Sequence, residues 1–125
     1  MATPRVAING FGRIGRLTFR AFMEAGRDDL EFVAINDLGS ADMNALLLEF
    51  DTVHGRFPGE IAVDGNNLRI NGKDVAVLSE PNPEQLPWAE LGVDIVMDCT
   101  GRFTKREAAA QHLKAGAKRV LVSAP

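Results

Sequence analysis

The stretch RVAINGFGRIGRLTFRAF, residues 5–22, contains the signals for a strand, a loop and a helix in direct succession. The apolar run Arg5–Asn9 is typical of a buried strand, and Ile14–Ala25 carries apolar residues at helical spacing. Between them the chain reads Gly-x-Gly-x-x-Gly, with glycines at positions 10, 12 and 15. In a strand–helix junction such glycines allow a tight turn, a close approach of the backbone to a bound group, and close packing of helix on strand.

Further strands and helices follow along the chain. Apolar runs predict strands at Glu31–Asn36, Asp94–Met97 and Arg119–Ser123, and helices at Ala41–Phe50 and Thr104–Ala115. The strands are apolar without alternation, which indicates a parallel sheet that is covered on both faces. The sequence therefore predicts an α/β fold of the doubly wound (Rossmann) class.

The middle of the chain has a different pattern. Short apolar segments within residues 61–78 are separated by Asp-Gly and Asn-Gly pairs, which are hairpin signals. We expect a small antiparallel insertion there, followed by a proline-rich loop over Pro81–Trp88 that holds at most one helical turn. Since a sheet of this class ordinarily continues beyond the last predicted strand, we expect residues 1–125 to be one domain of a longer chain.

Composition excludes several classes of protein. The 125 residues are 46% hydrophobic and 25% charged, as in a soluble globular domain. A net charge of −3 argues against a nucleic-acid partner, and no apolar run is long enough to cross a membrane. A single cysteine cannot form an internal disulfide, and this favours a reducing, cytoplasmic location.

The glycine pattern becomes more specific in its context. Asp37 ends the second predicted strand about twenty residues after Gly15, where a carboxylate accepts hydrogen bonds from an adenosine ribose. A 2′-phosphate would meet Asp37 as a like charge, so we expect NAD as the cofactor and NADP to be less suitable. A nucleoside-triphosphate loop would need a Gly-Lys-Ser/Thr ending, which is absent here.

Four segments carry a closer resemblance. The motifs are INGFGRIGR at residues 8–16, AIND at 34–37, FDTVHGRFPGEI at 50–61 and the whole segment 86–125, which begins LPWAELGVDIVMDCTGRFT. Together they resemble the phosphorylating glyceraldehyde-3-phosphate dehydrogenase family along essentially the whole chain. The resemblance implies that residues 1–125 are the N-terminal NAD(P)-binding Rossmann domain of a longer dehydrogenase, truncated before the catalytic domain.

The resemblance also implies which residues bind the cofactor. The backbone of the glycine loop would hold the pyrophosphate, Asp37 the adenosine ribose, and the residues after the last two strands would line the cofactor toward the nicotinamide. The implied cofactor-binding positions are Gly10, Phe11, Gly12, Arg13, Ile14, Asn36, Asp37, Pro81, Cys99, Thr100, Gly101, Phe103, Ser123 and Ala124.

The chain departs from the family's pattern at two of these positions. Pro81 stands where the family often has an arginine, so an arginine side-chain contact would be lost although the backbone carbonyl that faces the adenine is kept. Cys99 stands where the family frequently has serine, a small change in volume. The family's nucleophilic cysteine and activating histidine lie downstream of Pro125, so we expect no catalytic residue in this chain.

The remaining candidates have structural interpretations. We expect Cys99 to be buried at a strand end, where the neighbouring Asp98 disfavours a thiolate. We expect His54 to lie in a loop, where its side chain bonds backbone or packs at an interface. We expect His112 to lie on the solvated side of its helix. Trp88 is expected to anchor its loop to the core. Nothing near the aspartates indicates a metal site.

Three functions are compatible with these residues. The first is the NAD-binding part of a dehydrogenase that converts glyceraldehyde 3-phosphate to an acyl phosphate, with substrate bound only in the presence of the catalytic domain. The second is a free-standing dinucleotide-binding or sensing module without catalysis. The third is a related dehydrogenase, for example one acting on erythrose 4-phosphate. For the full-length enzyme the resemblance implies a homotetramer.

Overall fold

The structure, a computed structural model, describes residues 3–24, 30–37, 50–51, 55–56, 60–65, 67–70, 72–100 and 105–122. Nine strands lie within these residues. In chain order they are β1 (Arg5–Asn9), β2 (Glu31–Asn36), β3 (Phe50–Asp51), β4 (Gly55–Arg56), β5 (Ile61–Asp64), β6 (Asn67–Ile70), β7 (Lys73–Leu78), β8 (Ile95–Asp98) and β9 (Arg119–Val122).

Three α-helices and one 3-10 turn connect the strands in the described part of the chain. Helix α1 spans Arg13–Glu24, α2 is a single turn at Trp88–Leu91, and α3 spans Lys105–Lys114. The 3-10 turn covers Pro83–Gln85, and Asn82 caps it by accepting a hydrogen bond from the backbone N–H of Glu84.

Seven of the strands form one sheet in the order β5-β6-β7-β2-β1-β8-β9. The pairs from β7 through β2, β1 and β8 to β9 are all parallel. On one side of β1 the parallel strands β2 and β7 follow it in chain order, and on the other side β8 is followed by β9. The strand order therefore reverses between β1 and β8, and the crevice at such a reversal is where ligands bind in open α/β sheets.

Helices cover both faces of the sheet, as the sequence predicts. Val6 and Ile8 of β1 face one way and pack with Phe19 of α1, whereas Ala7 between them faces the other way and belongs to the cluster around Trp88. Trp88 is completely buried, which confirms that it anchors its segment to the core, although it begins α2 and does not lie in the loop.

The antiparallel insertion is also confirmed, with one addition. Strands β5, β6 and β7 form an antiparallel meander, and β7 then pairs in parallel with β2. The insertion therefore does not stand apart from the parallel sheet but extends its edge. Leu68 and Ile70 of β6 are buried because they continue the core surface beneath α1.

Some predicted elements differ or fall outside the described residues. Phe50, predicted as the end of a helix, lies instead in β3 and pairs with Arg56 in a two-stranded antiparallel ladder. Its aromatic side chain suits a strand as well as a helix, so the residue itself does not distinguish the two. Residues 41–49 of that predicted helix lie outside the described residues, as do Ala25 and Thr104 at the ends of the other two predicted helices.

Candidate functional site

A pocket opens at the carboxyl ends of the parallel strands, across the point where the strand order reverses. It lies between the loop after β1, the end of β2, the segment after β7 and the end of β8. The lining residues are Asn9, Gly10, Gly12, Asn36, Asp37, Glu80, Pro81, Pro83, Cys99 and Thr100. Seven of the positions predicted from the sequence are thus brought together in one place.

The glycine loop forms the wall between β1 and α1. Gly10 has a φ of 90°, and a Cβ there would stand 2.7 Å from Cγ2 of Thr100. At Gly15 a Cβ would lie 2.5 Å from the carbonyl oxygen of Gly10, so only glycine lets α1 begin this close to β1. Gly12 differs from both, because no described residue other than its chain neighbours comes within 4 Å of a Cβ built on it. The loop is tight on the protein side and open on the pocket side.

Helix α1 begins directly after this open glycine. Arg13 is its first residue, and the first intrahelical hydrogen bond runs from the N–H of Arg16 to the carbonyl of Gly12 at 2.9 Å. The N–H groups of the first turn have no carbonyl partner within the helix, and they carry the positive end of the helix dipole. Ile14 is exposed, whereas the ring of Phe11 is buried against Phe19. Phe11 therefore borders the loop through its backbone alone.

Asp37 lies beside the glycine loop, directly after β2. Its Oδ1 accepts a hydrogen bond from the backbone N–H of Phe11 at 3.2 Å, and its own N–H donates to the carbonyl of Leu78 at 2.9 Å. The carboxylate is partly exposed and lines the pocket. The side chain is thus held beside the glycine loop while it faces the space where a ligand would lie.

Two buried asparagines tie three strands together beneath the pocket. The Asn36 amide donates to Oδ1 of Asn9 at 2.7 Å and to the carbonyl of Glu80 at 2.9 Å, and its Oδ1 accepts from the N–H of Glu80 at 2.9 Å. Asn36 therefore fixes the backbone next to Pro81 through both of its amide atoms. Neither Asn9 nor Glu80 was predicted from the sequence, since an asparagine at a strand end is equally typical of a turn.

Asp98, at the end of β8, is the most extensively bonded carboxylate in the site. Burial on its own would raise the pKa of Asp98, but hydrogen bonds from His112, Thr100 and Asn9 outweigh it and lower the pKa to about 2. The His112 contact is 2.8 Å, and Thr100 donates from both its backbone N–H and its hydroxyl. Asp98 is therefore ionised at neutral pH and holds Thr100 in the pocket wall.

The expectation that His112 is solvated is wrong. His112 is completely buried, and its second ring nitrogen accepts a hydrogen bond from the indole N–H of Trp88 at 3.0 Å. The helix carries three consecutive alanines, so its sequence does not define which side faces the core. The structure buries Ala108 and His112, one turn apart, and leaves Leu113 half exposed.

Cys99 lines the pocket next to Asp98 and is partly buried. Burial, and then the Asp98 charge, raise the pKa of the Cys99 thiol to about 11. The expectation that Asp98 disfavours a thiolate is thus confirmed. A thiol of this kind is a wall of the pocket and a poor nucleophile at neutral pH.

Several expected residues lie outside the described part of the chain. These are Gly101, Phe103, Ser123 and Ala124 of the implied cofactor positions, and His54 of the other candidates. Among the described residues no three His, Cys, Asp or Glu side chains are close enough to hold a metal ion. None of the helices in the described ranges is long and apolar enough to cross a membrane.

Comparison with known proteins agrees with this geometry. Residues 4–106 match the family described as glyceraldehyde 3-phosphate dehydrogenase, NAD binding domain. A plasmid-encoded glyceraldehyde-3-phosphate dehydrogenase of Cupriavidus necator is 62% identical over 98% of this chain, and that of Geobacillus stearothermophilus is 58% identical over 97%. The chain spans 37% and 36% of the length of these two relatives. The chain therefore belongs to the glyceraldehyde-3-phosphate dehydrogenase family and corresponds to its domain for a nicotinamide dinucleotide.

Proposed function

We propose that the chain binds NAD as part of a phosphorylating glyceraldehyde-3-phosphate dehydrogenase, which oxidises and phosphorylates glyceraldehyde 3-phosphate to 1,3-bisphosphoglycerate in glycolysis. The observation that carries the proposal is the position of Asp37, held beside the glycine loop at the reversal of strand order. A carboxylate there accepts hydrogen bonds from a ribose while the loop receives the pyrophosphate. A structural loop would need neither the open space at Gly12 nor a carboxylate facing it.

Each side of the pocket has a defined task in this proposal. The open backbone at Gly12, Arg13 and Ile14 receives the pyrophosphate at the positive end of α1. The carbonyl of Pro81 faces the adenine, on a backbone held by the neighbouring Asn36–Glu80 bonds. Cys99 and Thr100 continue the wall toward the nicotinamide. The family resemblance implies the same role for Gly101, Phe103, Ser123 and Ala124. The bound dinucleotide supplies the hydride acceptor.

The carboxylate of Asp37 also supports a preference for NAD over NADP. A 2′-phosphate on the adenosine ribose would stand against the negative charge of Asp37. Asp98 does not share this role, because its two oxygens are already bonded to Thr100, Asn9 and His112. Asp37 is therefore the residue on which the choice of cofactor depends.

The rest of the activity is proposed from the family. The chain would be one domain of a longer, cytoplasmic enzyme that assembles as a homotetramer. Its nucleophilic cysteine and activating histidine would come from outside residues 1–125, since the single thiol here has a pKa of about 11. Every named relative cited above is a glyceraldehyde-3-phosphate dehydrogenase, which favours this function over a binding module without catalysis or an enzyme for another aldehyde.

Calorimetric titration of the full-length protein with NAD and with NADP tests the proposal. We expect NAD to bind more tightly than NADP. Asp37→Ala is expected to weaken NAD binding by about 1.5–3 kcal/mol, the contribution of a hydrogen bond to a charged acceptor. The same substitution is expected to reduce the discrimination against NADP, because the opposing charge is removed.

Asp74→Ala is the matched control, since Asp74 is an exposed carboxylate at the far end of β7 that pairs with Arg69. Its affinity for both cofactors should equal that of the unchanged protein. Equal affinities of the Asp37→Ala variant and the unchanged protein for both cofactors would refute the assignment of Asp37. Absence of dinucleotide binding by the unchanged, folded protein would refute the proposed function as a whole.

A further inference from the structure

A chain of buried hydrogen bonds leads from the helical side of the molecule to the wall of the pocket. The indole N–H of Trp88 donates to Nδ1 of His112 at 3.0 Å, and Nε2 of His112 lies 2.8 Å from Oδ2 of Asp98. Oδ1 of Asp98 accepts from the hydroxyl of Thr100 at 2.7 Å and from its N–H at 3.1 Å. We call these four residues the Trp88–Thr100 relay. Only its last member, Thr100, lines the pocket.

The relay fixes the tautomer of the imidazole. An indole N–H can only donate, so Nδ1 of His112 must accept and carries no proton. The proton is then on Nε2, which donates to Asp98. The ring has one orientation that satisfies both contacts, since a flipped ring would bring a carbon against the carboxylate or the indole. Because Trp88 and His112 are both completely buried, water does not replace either bond.

The position of Thr100 is critical for the glycine turn. Cγ2 and the backbone N of Thr100 lie within 3 Å of where a Cβ on Gly10 would stand, at 2.7 and 2.9 Å. Gly10 therefore packs directly against Thr100, and a shift of Thr100 moves or collides with the turn that leads to Gly12. Asp98 holds Thr100 through both its hydroxyl and its N–H, so a rotation of the Asp98 carboxylate would release both.

We propose that His112 and Trp88 are positioning residues for the dinucleotide site, acting through Asp98 on Thr100 and the glycine turn. The inference rests on the proposed function for the identity of the ligand. Neither side chain lines the pocket, so their effect on binding is indirect. If they served only to fill the core, their substitution would lower stability and leave the affinity of the folded protein unchanged.

Three variants of the full-length protein separate these roles. His112→Leu removes both ring hydrogen bonds and keeps most of the volume, whereas His112→Gln retains one donor and one acceptor. Trp88→Phe removes only the donor to Nδ1. Ile70→Ala is the control. Ile70 lies in β6 and is buried in the core cluster that contains Phe19, which is separate from the cluster that contains Trp88. Dissociation constants for NAD are measured by calorimetry well below each variant's unfolding temperature.

We expect NAD to bind about tenfold more weakly to His112→Leu and about threefold more weakly to Trp88→Phe, losses that correspond to one hydrogen bond or a fraction of one. His112→Gln should bind NAD almost as tightly as the unchanged protein. Ile70→Ala should lose stability and keep its affinity. Unchanged affinity of folded His112→Leu would overturn the inference, as would an equal loss in Ile70→Ala. If His112→Leu does not fold, Trp88→Phe decides in its place, and unchanged affinity of that folded variant would overturn the inference.

A crystal structure of the His112→Leu or Trp88→Phe variant separates this inference from the proposed function. If the relay positions Thr100, the Asp98 carboxylate rotates in these variants and Thr100 moves relative to Gly10. An unmoved Thr100 overturns it, whatever the ligand. Failure of the unchanged protein to bind NAD would instead refute the proposed function, while displacement of Thr100 in the variant would still support the relay.

Discussion

At the scale of single residues, Cys99 shows how position sets reactivity. The thiol lies partly buried between β8 and the pocket, next to an ionised carboxylate. Burial and the Asp98 charge both disfavour the thiolate, and together they raise the pKa of Cys99 from 9.0 to about 11. The thiolate fraction at neutral pH therefore falls by about a hundredfold.

Alkylation measures this directly. We expect iodoacetamide at pH 7.5 to modify Cys99 in the folded full-length protein at least ten times more slowly than in the denatured protein, because the thiolate is the reacting form. Peptide mass spectrometry follows Cys99 separately from any other thiol. Modification of Cys99 at equal rates in the two states would contradict the raised pKa.

At the scale of elements, the strand–loop–helix unit from β1 to α1 assigns different tasks to its glycines. A Cβ at Gly15 would press against the Gly10 carbonyl at 2.5 Å and against Cγ2 of Ile8 at 3.2 Å. Among the described residues, apart from its chain neighbours, no atom comes within 4 Å of a Cβ built at Gly12. One glycine is therefore required by the fold, and the other has open space beside it.

Two alanine substitutions separate these tasks. Gly15→Ala should lower the free energy of unfolding by about 1–3 kcal/mol, since α1 must move away from β1. Gly12→Ala should leave stability within about 0.5 kcal/mol and weaken NAD binding at least tenfold, because the methyl group occupies the space proposed for the pyrophosphate. Thermal unfolding and calorimetry provide the two measurements. Full NAD affinity in Gly12→Ala would show that the ligand does not approach this backbone.

At the scale of the whole molecule, Asp98 links folding to pH. Its pKa is about 2 in the folded state against 3.8 for the ordinary group. A lowered folded pKa means that the carboxylate stabilises the folded state above about pH 4 and loses this contribution as pH falls toward 2. The shift corresponds to about 2 kcal/mol.

The matched variant is Asp98→Asn, which keeps the shape of the side chain and cannot ionise. The difference in unfolding free energy between the two full-length proteins should be largest from pH 5 to 7 and should shrink by about 2 kcal/mol between pH 4 and pH 2. Denaturant titrations at several pH values measure it. A difference that stays constant over that range would show that Asp98 is not held ionised by His112 and Thr100.

The correct predictions share a local origin. The glycine loop, the alternation of buried strands and helices, and the hairpin signals of residues 61–78 are all written in adjacent residues, and the observed sheet follows them. Asp37 was found from its spacing to the loop alone. The prediction of a helix at Phe50 was wrong because its side chain suits a helix or a strand. The prediction of a solvated His112 was wrong because an alanine-rich helix does not show which face is buried.

Local sequence determined the order of elements in this protein, its class of fold and the two sides of the pocket that come from β1 and β2, because propensity and periodicity act over a few residues. Tertiary structure alone decided the relay behind the pocket. Trp88 and His112 are 24 residues apart in the chain, and Asn9, which also donates to Asp98, is 89 residues from it. They meet because β8 inserts beside β1, and α3 then buries a histidine that bonds to Trp88 and Asp98 on other elements. Such a pairing depends on sheet order and burial and leaves no local pattern.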